Sequence, residues 1–313
     1  MKVWNGIERY PTESPPVVAT LGNFDGVHRG HLAILTSTVR DAKARGLPSL
    51  LITFDPHPLT VIAPARRPRL LQTRGQKLDC LEESGMDAVL FLRFDAGLAA
   101  LSGEKFFSSY LVTRVSLSAV HVGRHFRFGH DRAGDLALLE RIGALCGFGV
   151  VGVSQVVDEG ETISSSAIRK AVEEGAIERA ARMLGRPFAV TGEVVRGDGR
   201  GKSLDFPTAN LETDGEMIPR RGVYISEVAV AATRYGAITN VGVRPTFGTS
   251  ALTVESHILD FEDDLYGERV EVRFLARLRD ERRFDGPSEL ADQIARDRAA
   301  AVAFFQSLRP TLR

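Results

Sequence analysis

Two histidines three positions apart, His28 and His31, close the run Gly22-Asn23-Phe24-Asp25-Gly26-Val27-His28-Arg29-Gly30-His31. A short apolar run, Val17–Leu21, precedes it, and an amphipathic helical pattern over 31–44 follows. Histidines at i and i+3 of a helix start face the same way and can donate hydrogen bonds to phosphate oxygens. The helix start adds free backbone N–H groups and positive partial charge. Gly30 leaves room for a polyphosphate to approach the backbone. Such an array stabilises charge developing at phosphorus without a covalent intermediate. On spacing alone, two capping or surface histidines fit equally well. A metal pair fits less, because neither an HExxH pattern nor a Cys/His cluster accompanies them.

A second constellation begins at Gly197-Asp198-Gly199-Arg200-Gly201-Lys202-Ser203. A P-loop needs a glycine at 196, which is Arg196, and a helix where Pro207 stands, so that reading fails. A glycine-rich flap whose N–H groups cradle phosphates remains. In the following Phe206-Pro207-Thr208-Ala209-Asn210, Thr208 and Asn210 alternate along an extended segment and can offer oxygens to Mg²⁺ and phosphates. An ordinary turn is the alternative. In a third stretch, Ser164, Ser165 and Ser166 precede Arg169 at the start of a helical pattern. It suits phosphate, but by itself it reads as a serine N-cap.

These groups need a scaffold. From residue 17, β-rich runs at 17–21, 49–54, 87–91, 119–122 and 148–157 alternate with helical patterns at 31–44, 74–84, 103–112, 134–146 and 166–184. That alternation predicts an α/β doubly wound parallel sheet. Ligands then bind beyond the carboxyl ends of the strands, where the loops 22–31 and 55–58 fall. After Gly185-Arg186-Pro187 the runs at 189–195, 223–231, 234–241, 253–259 and 269–275 are short, β-rich and separated by turns. They predict an antiparallel barrel or sandwich, closed by a helix over 288–308. We expect one domain over 1–185 and a second over 186–313.

The 313 residues include 40 Lys+Arg and 40 Asp+Glu. Residues 1–185 carry 22 basic and 20 acidic groups, and 186–313 carry 18 and 20. Neither part has the basic excess that nucleic acid or an anionic membrane rewards. Cys80 and Cys146 give no disulfide framework or zinc knuckle. No signal peptide is read, and the apolar stretch 142–157 is broken by four glycines, so a cytoplasmic protein is expected.

The string GNFDGVHRGH resembles the HxGH signature of the nucleotidyltransferase superfamily, in the version seen in bacterial flavin adenylyltransferases. In order, Thr53-Phe54-Asp55-Pro56-His57-Pro58, then Val122-Gly123-Arg124-His125-Phe126-Arg127-Phe128-Gly129, then Ile163-Ser164-Ser165-Ser166-Ala167-Ile168-Arg169 fit the same family. The resemblance implies that Gly22, Asn23, Phe24, Gly30 and Ser164–Ser166 meet ATP, that His28, His31 and Arg169 act in the transfer, and that Asp55, Pro56, Pro58, His125, Arg127 and Phe128 meet the flavin. GEVVRGDGRGKSLDFPTANL resembles the riboflavin kinase signature, and Asn240–Phe247 and 255–267 continue it. That likeness implies Glu255 as the base for the ribityl hydroxyl, Thr208 and Asn210 as metal ligands, and Gly197, Gly199 and Lys202 at the phosphates.

Three residues depart from these patterns. His125 stands where a short Asp or Asn is usual, and Lys202 and Asp205 stand where Arg and Gly are more frequent. Lysine keeps the charge but loses the bidentate fork. Together the resemblances imply a bacterial-type bifunctional enzyme that phosphorylates riboflavin to FMN with ATP and Mg²⁺ and adenylylates FMN to FAD. Its expected partners are ATP, riboflavin, FMN and FAD, with no nucleic acid or membrane. A transferase for another phosphate ester, or a nucleotide- or RNA-binding module, are the alternatives; the kinase-like region opposes the first. The lack of a KMSKS-like string and the neutral charge oppose the second.

Overall fold

Strands that are apolar at every position have no face for water, so they need cover on both sides, which a helix-flanked parallel sheet provides. Val17–Leu21 comes close to this, apolar but for Thr20, and is buried at all five positions. In the computed structural model, which describes residues 1–196, 206–215, 217–231, 233–246 and 249–308, it lies in a six-stranded parallel sheet. The chain forms two compact units, Met1–Pro68 with Arg74–Ser164, and Arg69–Thr73 with Ser165–Arg313. The expected division at 185/186 thus falls later in the chain than the change of unit.

The first unit runs β1 (Lys2–Asn5), β2 (Val17–Leu21), α1 (Arg29–Arg45), β3 (Ser49–Asp55), α2 (Pro58–Ile62), α3 (Arg74–Glu83) and β4 (Ala88–Arg93). It continues through α4 (Ala96–Ala99), α5 (Gly103–Lys105), β5 (Leu117–Gly123), α6 (Leu136–Cys146), β6 (Gly149–Val153) and a hairpin of β7 (Val157–Asp158) and β8 (Glu161–Thr162). The sheet order is β1-β4-β3-β2-β5-β6. After β2 the chain builds outward through β3 and β4, then returns to β5 on the other side. The carboxyl end of β2 is therefore the switch point, where such sheets bind ligands. One core cluster places Phe24, Val27, Leu35, Leu81 and Phe91 together under α1 and α3. The opposite cluster holds Leu21, Ile52, Leu90, Phe107 and Phe128.

The second unit begins with α7 (Ser165–Glu174) and α8 (Ile177–Leu184). The single helical pattern expected over 166–184 is two helices, because Gly175 at φ 76 ends the first in a left-handed turn. Six antiparallel strands follow: β9 (Phe188–Val195), β10 (Ala209–Thr213), β11 (Gly222–Val230), β12 (Thr233–Thr246), β13 (Thr249–Ile258) and β14 (Arg269–Arg279). They close into a barrel in the order β10-β13-β12-β11-β14-β9. Alternating burial along β9 is the period-2 signature of a barrel wall. Inside, Ser226, Thr239 and Ser256 are fully buried and satisfy one another, with oxygens 2.6 and 2.7 Å apart. A last helix, α9 (Pro287–Leu308), packs Ala301, Val302, Phe304 and Phe305 against Val223, Ile225 and Ile238 on the barrel's outer wall. The sequence pattern does not show β1 or the β7–β8 hairpin, and it gives β10 only as the extended segment that carries Thr208 and Asn210. It also extended the strand at 148–157 past Val153, where the chain turns toward the hairpin.

Candidate functional site

The loop after β2 is held under tension. Phe24 and Val27 have φ of 47° and 34°, a region that a β-branched residue such as Val27 avoids. Both side chains are almost wholly buried in the core beneath α1. Strain of this kind costs about 1–3 kcal/mol per residue and persists only where packing enforces it. The enforced path delivers His28 to the N-cap of α1, where its Nδ1 accepts the backbone N–H of His31 at 3.3 Å. The two imidazoles stack with centroids 3.7 Å apart, and Phe24 lies 4.7 Å from His31. Because Nδ1 is an acceptor, neutral His28 carries its proton on Nε2 and remains a donor there. Among the described residues, His31 Nδ1 is buried with no hydrogen-bond partner. Burial pushes the His31 imidazole well below the ordinary histidine value, and His28 and Lys77 add repulsion. A Cβ on Gly30 would sit 3.1 Å from the His28 ring and 3.7 Å from the Ile163 carbonyl, so this glycine is needed for close approach.

The neighbouring strand ends frame this loop. The Asn23 carboxamide meets His57 Nε2 at 3.2 Å, and His57 Nδ1 accepts the Leu59 N–H at the start of α2. Pro58 occupies the first turn of that helix. Asp55 accepts a hydrogen bond from Arg74 at 3.0 Å, and Arg74 also lies 4.1 Å over the Phe91 ring. Lys77 Nζ donates to the Asn23 carbonyl at 2.9 Å. Arg74, Lys77 and His57 were missed as site residues. Arg74 and Lys77 belong to a helix with no motif of its own, and only folding brings them to the strand ends.

In the loop after β5, His125 and Arg127 are exposed, and Arg127 donates to Asp135 at 3.3 Å. Phe128 faces inward: its ring is 5.2 Å from Phe107, and side chains on Gly103 or Gly134 would collide with it. Half-buried Phe126 stacks on it at 5.4 Å. Near the start of α1, Arg29 donates to Asp158 of the β7–β8 hairpin at 2.7 Å. Ser164 ends the first unit, whereas Ser165, Ser166 and Arg169 belong to α7 in the second, where Arg169 Nε donates to the Arg69 carbonyl at 2.8 Å.

On the barrel, strand register assembles a second row. Asn210 of β10 lies directly opposite Glu255 of β13, which lies opposite Asn240 of β12. Their sequence neighbours Leu211, Val254, Val241, Thr239 and Ser256 are buried inside, so the three polar residues share the outer face. Asn240 was not singled out from sequence; only strand pairing shows it beside Glu255. A Cβ on Gly242 would fall 3.1 Å from Asn240 Nδ2 and 2.5 Å from Glu281 Oε1, which places a second carboxylate over this end of the row. Thr208 stands two residues before Asn210, and His257 donates from Nδ1 to the Pro207 carbonyl at 2.9 Å. A cleft of about 620 Å³ adjoins, lined by Phe206, Pro207, His257, Phe261, Arg298 and Val302. Phe206 and His257 meet edge to face at 5.4 Å. Gly197, Gly199, Lys202 and Asp205 lie outside the described residues. Thr208 and Asn210 carry hard oxygen donors of the kind Mg²⁺ takes; two are too few for an all-protein cage and would fit a Mg²⁺ completed by phosphates and water.

The parallel α/β unit thus carries a histidine pair at its switch point, and the closed barrel after it carries Glu255 between Asn210 and Asn240. A family model for FAD synthetase matches residues 10–167, and one for riboflavin kinase matches 184–305. The bifunctional riboflavin kinase/FMN adenylyltransferase of Escherichia coli K12 is 38% identical over 313 residues, covering 99% of this chain and 100% of that one. Its counterpart in Pseudomonas fluorescens is 37% identical over 304 residues, 97% of each chain. A crystal structure from Streptococcus pneumoniae, titled a macrolide-efflux protein, matches with a TM-score of 0.88 and 29% identity over 96% of this chain and 99% of that one. The chain belongs to the bifunctional riboflavin kinase/FMN adenylyltransferase family. It phosphorylates riboflavin to FMN in its kinase region and adenylylates FMN to FAD, releasing pyrophosphate, in its FAD synthetase region. No helix among the described residues is long and apolar enough to cross a membrane.

Proposed function

We propose that ATP is the donor in both reactions and that each is carried by the residues just described. For adenylyl transfer, an FMN phosphate oxygen attacks the α-phosphorus of ATP and the bond to the pyrophosphate bridging oxygen breaks. His28, through Nε2–H, and His31 donate to the α-phosphate as charge builds there. Gly22, Asn23, Phe24 and Gly30 shape the nucleotide loop, and Ser164, Ser165, Ser166 and Arg169 take the β- and γ-phosphates. Asp55, Pro56, Pro58, His125 and Arg127 meet the flavin, with Phe128 supporting their loop from the core. The stacked His28–His31 pair in its strained loop carries this reading, because positioned donors are the main thing such a reaction requires.

For the kinase reaction, Glu255 accepts the proton of the ribityl 5′-hydroxyl as that oxygen takes the γ-phosphoryl group. Thr208 and Asn210 would hold Mg²⁺, which when bound neutralises phosphate charge. Gly197, Gly199 and Lys202 serve the phosphates. The aromatic-lined cleft by Phe206 and Phe261 suits a planar ring. Neither Cys80 nor exposed Cys146 is in a disulfide among the described residues, which fits a reducing compartment, and we place the enzyme in the cytoplasm.

Incubating the full chain with riboflavin, ATP and Mg²⁺ and separating FMN from FAD tests both steps together. Glu255→Gln should abolish FMN formation yet still make FAD when FMN is supplied. Loss of both activities in that variant would reject the division of labour.

A further inference from the structure

Lys77 lies on α3 one helical turn before Leu81, which is wholly buried, so this lysine extends from the core-facing side of its helix. A lysine is seldom placed there without a dedicated partner. Its partner is the Asn23 carbonyl at 2.9 Å, which also accepts from Thr53 Oγ1 at 3.2 Å. One carbonyl, in the middle of the nucleotide loop, is thus gripped from both α3 and β3. The residue after it, Phe24, is the first of the two forced into positive φ. Arg74, one turn earlier on α3, holds Asp55 at the end of β3.

We propose that Lys77 is a positioning residue of the adenylylation site: it fixes the Asn23 peptide, and through it the path that delivers His28 and His31, while supplying positive charge beside them. The inference rests on the assignment of those histidines to adenylyl transfer. Charge neighbours are consistent with it. Burial lowers the Lys77 ammonium, and Asp25 and Asp55 oppose that, while Arg74 adds to it. The groups that act on the His31 imidazole are His28 from its own loop and Lys77 from α3, and both disfavour the imidazolium. Removing the ammonium takes one positive charge away from Asp25 and Asp55, with Arg74 still on Asp55, and leaves His31 with less repulsion, so its titration moves to higher pH.

The test uses Lys77→Met and Lys77→Arg in the full chain, with FAD formation from FMN and ATP followed across pH. Lys77→Met should raise the KM for ATP about ten-fold, the order of a lost hydrogen bond from a charged group. It should also move the His31 titration followed by NMR to higher pH, and Lys77→Arg should restore both. Equal losses in the two variants, or an unmoved His31 titration in Lys77→Met, would overturn the proposal. The unsubstituted chain gives an arm that needs no variant to fold: by NMR the His31 ring should titrate below the ordinary histidine range, and a value at or above that range also overturns it. The site assignment fails separately, if His28→Ala leaves FAD formation intact.

Discussion

His28 Nδ1 accepts the His31 backbone N–H at 3.3 Å while the two rings stack 3.7 Å apart. One side chain therefore caps the helix through Nδ1, and the proposed donation to phosphate would use the other nitrogen. The cap fixes the tautomer that carries the proton on Nε2, so one bond sets both the helix start and the orientation of the histidine pair.

His28→Ala and His31→Ala should each lower FAD formation by about 10²–10³-fold, the usual effect of losing one preorganised donor. FMN formation from riboflavin should stay close to the parent. His28→Asn separates the two jobs, because asparagine is a strong N-cap but lacks the Nε2–H donor. We expect it to keep the parent's thermal midpoint and lose FAD formation as His28→Ala does. Single-turnover FAD formation with a melting curve reads both quantities. A fully active His28→Asn protein would show that capping is the only role of His28.

Much of this was legible in the sequence because the chemistry sits in contiguous strings. The loop 22–31 follows a β-rich strand that is apolar but for Thr20, and that order alone puts it at a carboxyl end. Glu255 and Asn210 were legible as members of motifs, but their pairing was not: 45 positions apart, they meet only through the β10–β13 register. Asn240 was legible as the head of the string 240–247, but its place beside Glu255 comes only from strand pairing, and Lys77 carries no local signal, being placed by the helix face it shares with Leu81. The short strand β1 was missed because its exposed Lys2 and Val3 lack the buried-strand pattern, although it pairs in parallel with β4 at the sheet edge. The helix pair α7 and α8 read as one run because its apolar period passes unbroken across Gly175, whose positive φ only the folded chain reveals.

The seating of α9 depends on a buried ion pair. Asp297, 6% exposed, accepts from Arg279 Nε at 3.1 Å and from Nη2 at 2.8 Å, and from Gln293 Nε2 at 2.8 Å. Removing one partner leaves an uncompensated buried charge, at a cost of about 3–5 kcal/mol. Asp297→Ala should therefore destabilise the barrel unit by that amount in denaturant unfolding. Arg298, the next residue, lines the aromatic cleft, so the KM for riboflavin should rise as well. Replacing both Arg279 and Asp297 with apolar residues should cost much less than the single change. A double variant as unstable as Asp297→Ala would mean that the pair itself, and not the stranded charge, dominates.

Acid should loosen the first unit through Asp41. This carboxylate on α1 accepts from Arg45 Nε at 2.9 Å and meets buried His121 of β5 at 2.9 Å, whose other nitrogen contacts Ser37 at 2.9 Å. The Arg45 hydrogen bond, followed by that from His121, holds the Asp41 carboxyl below its ordinary value of 3.8. A carboxyl depressed on folding stabilises above its unfolded value, and that contribution disappears as pH falls through the folded value. The group is partly exposed, which screens it, so the contribution is on the order of 1 kcal/mol. Asp41→Asn should thus lie below the parent in thermal midpoint near neutral pH. The gap should narrow once the pH drops under about 4, as the parent's own carboxylate takes up its proton. Melting curves of both proteins from pH 7 to pH 3 check this, and a gap constant across that range would remove Asp41 as the source.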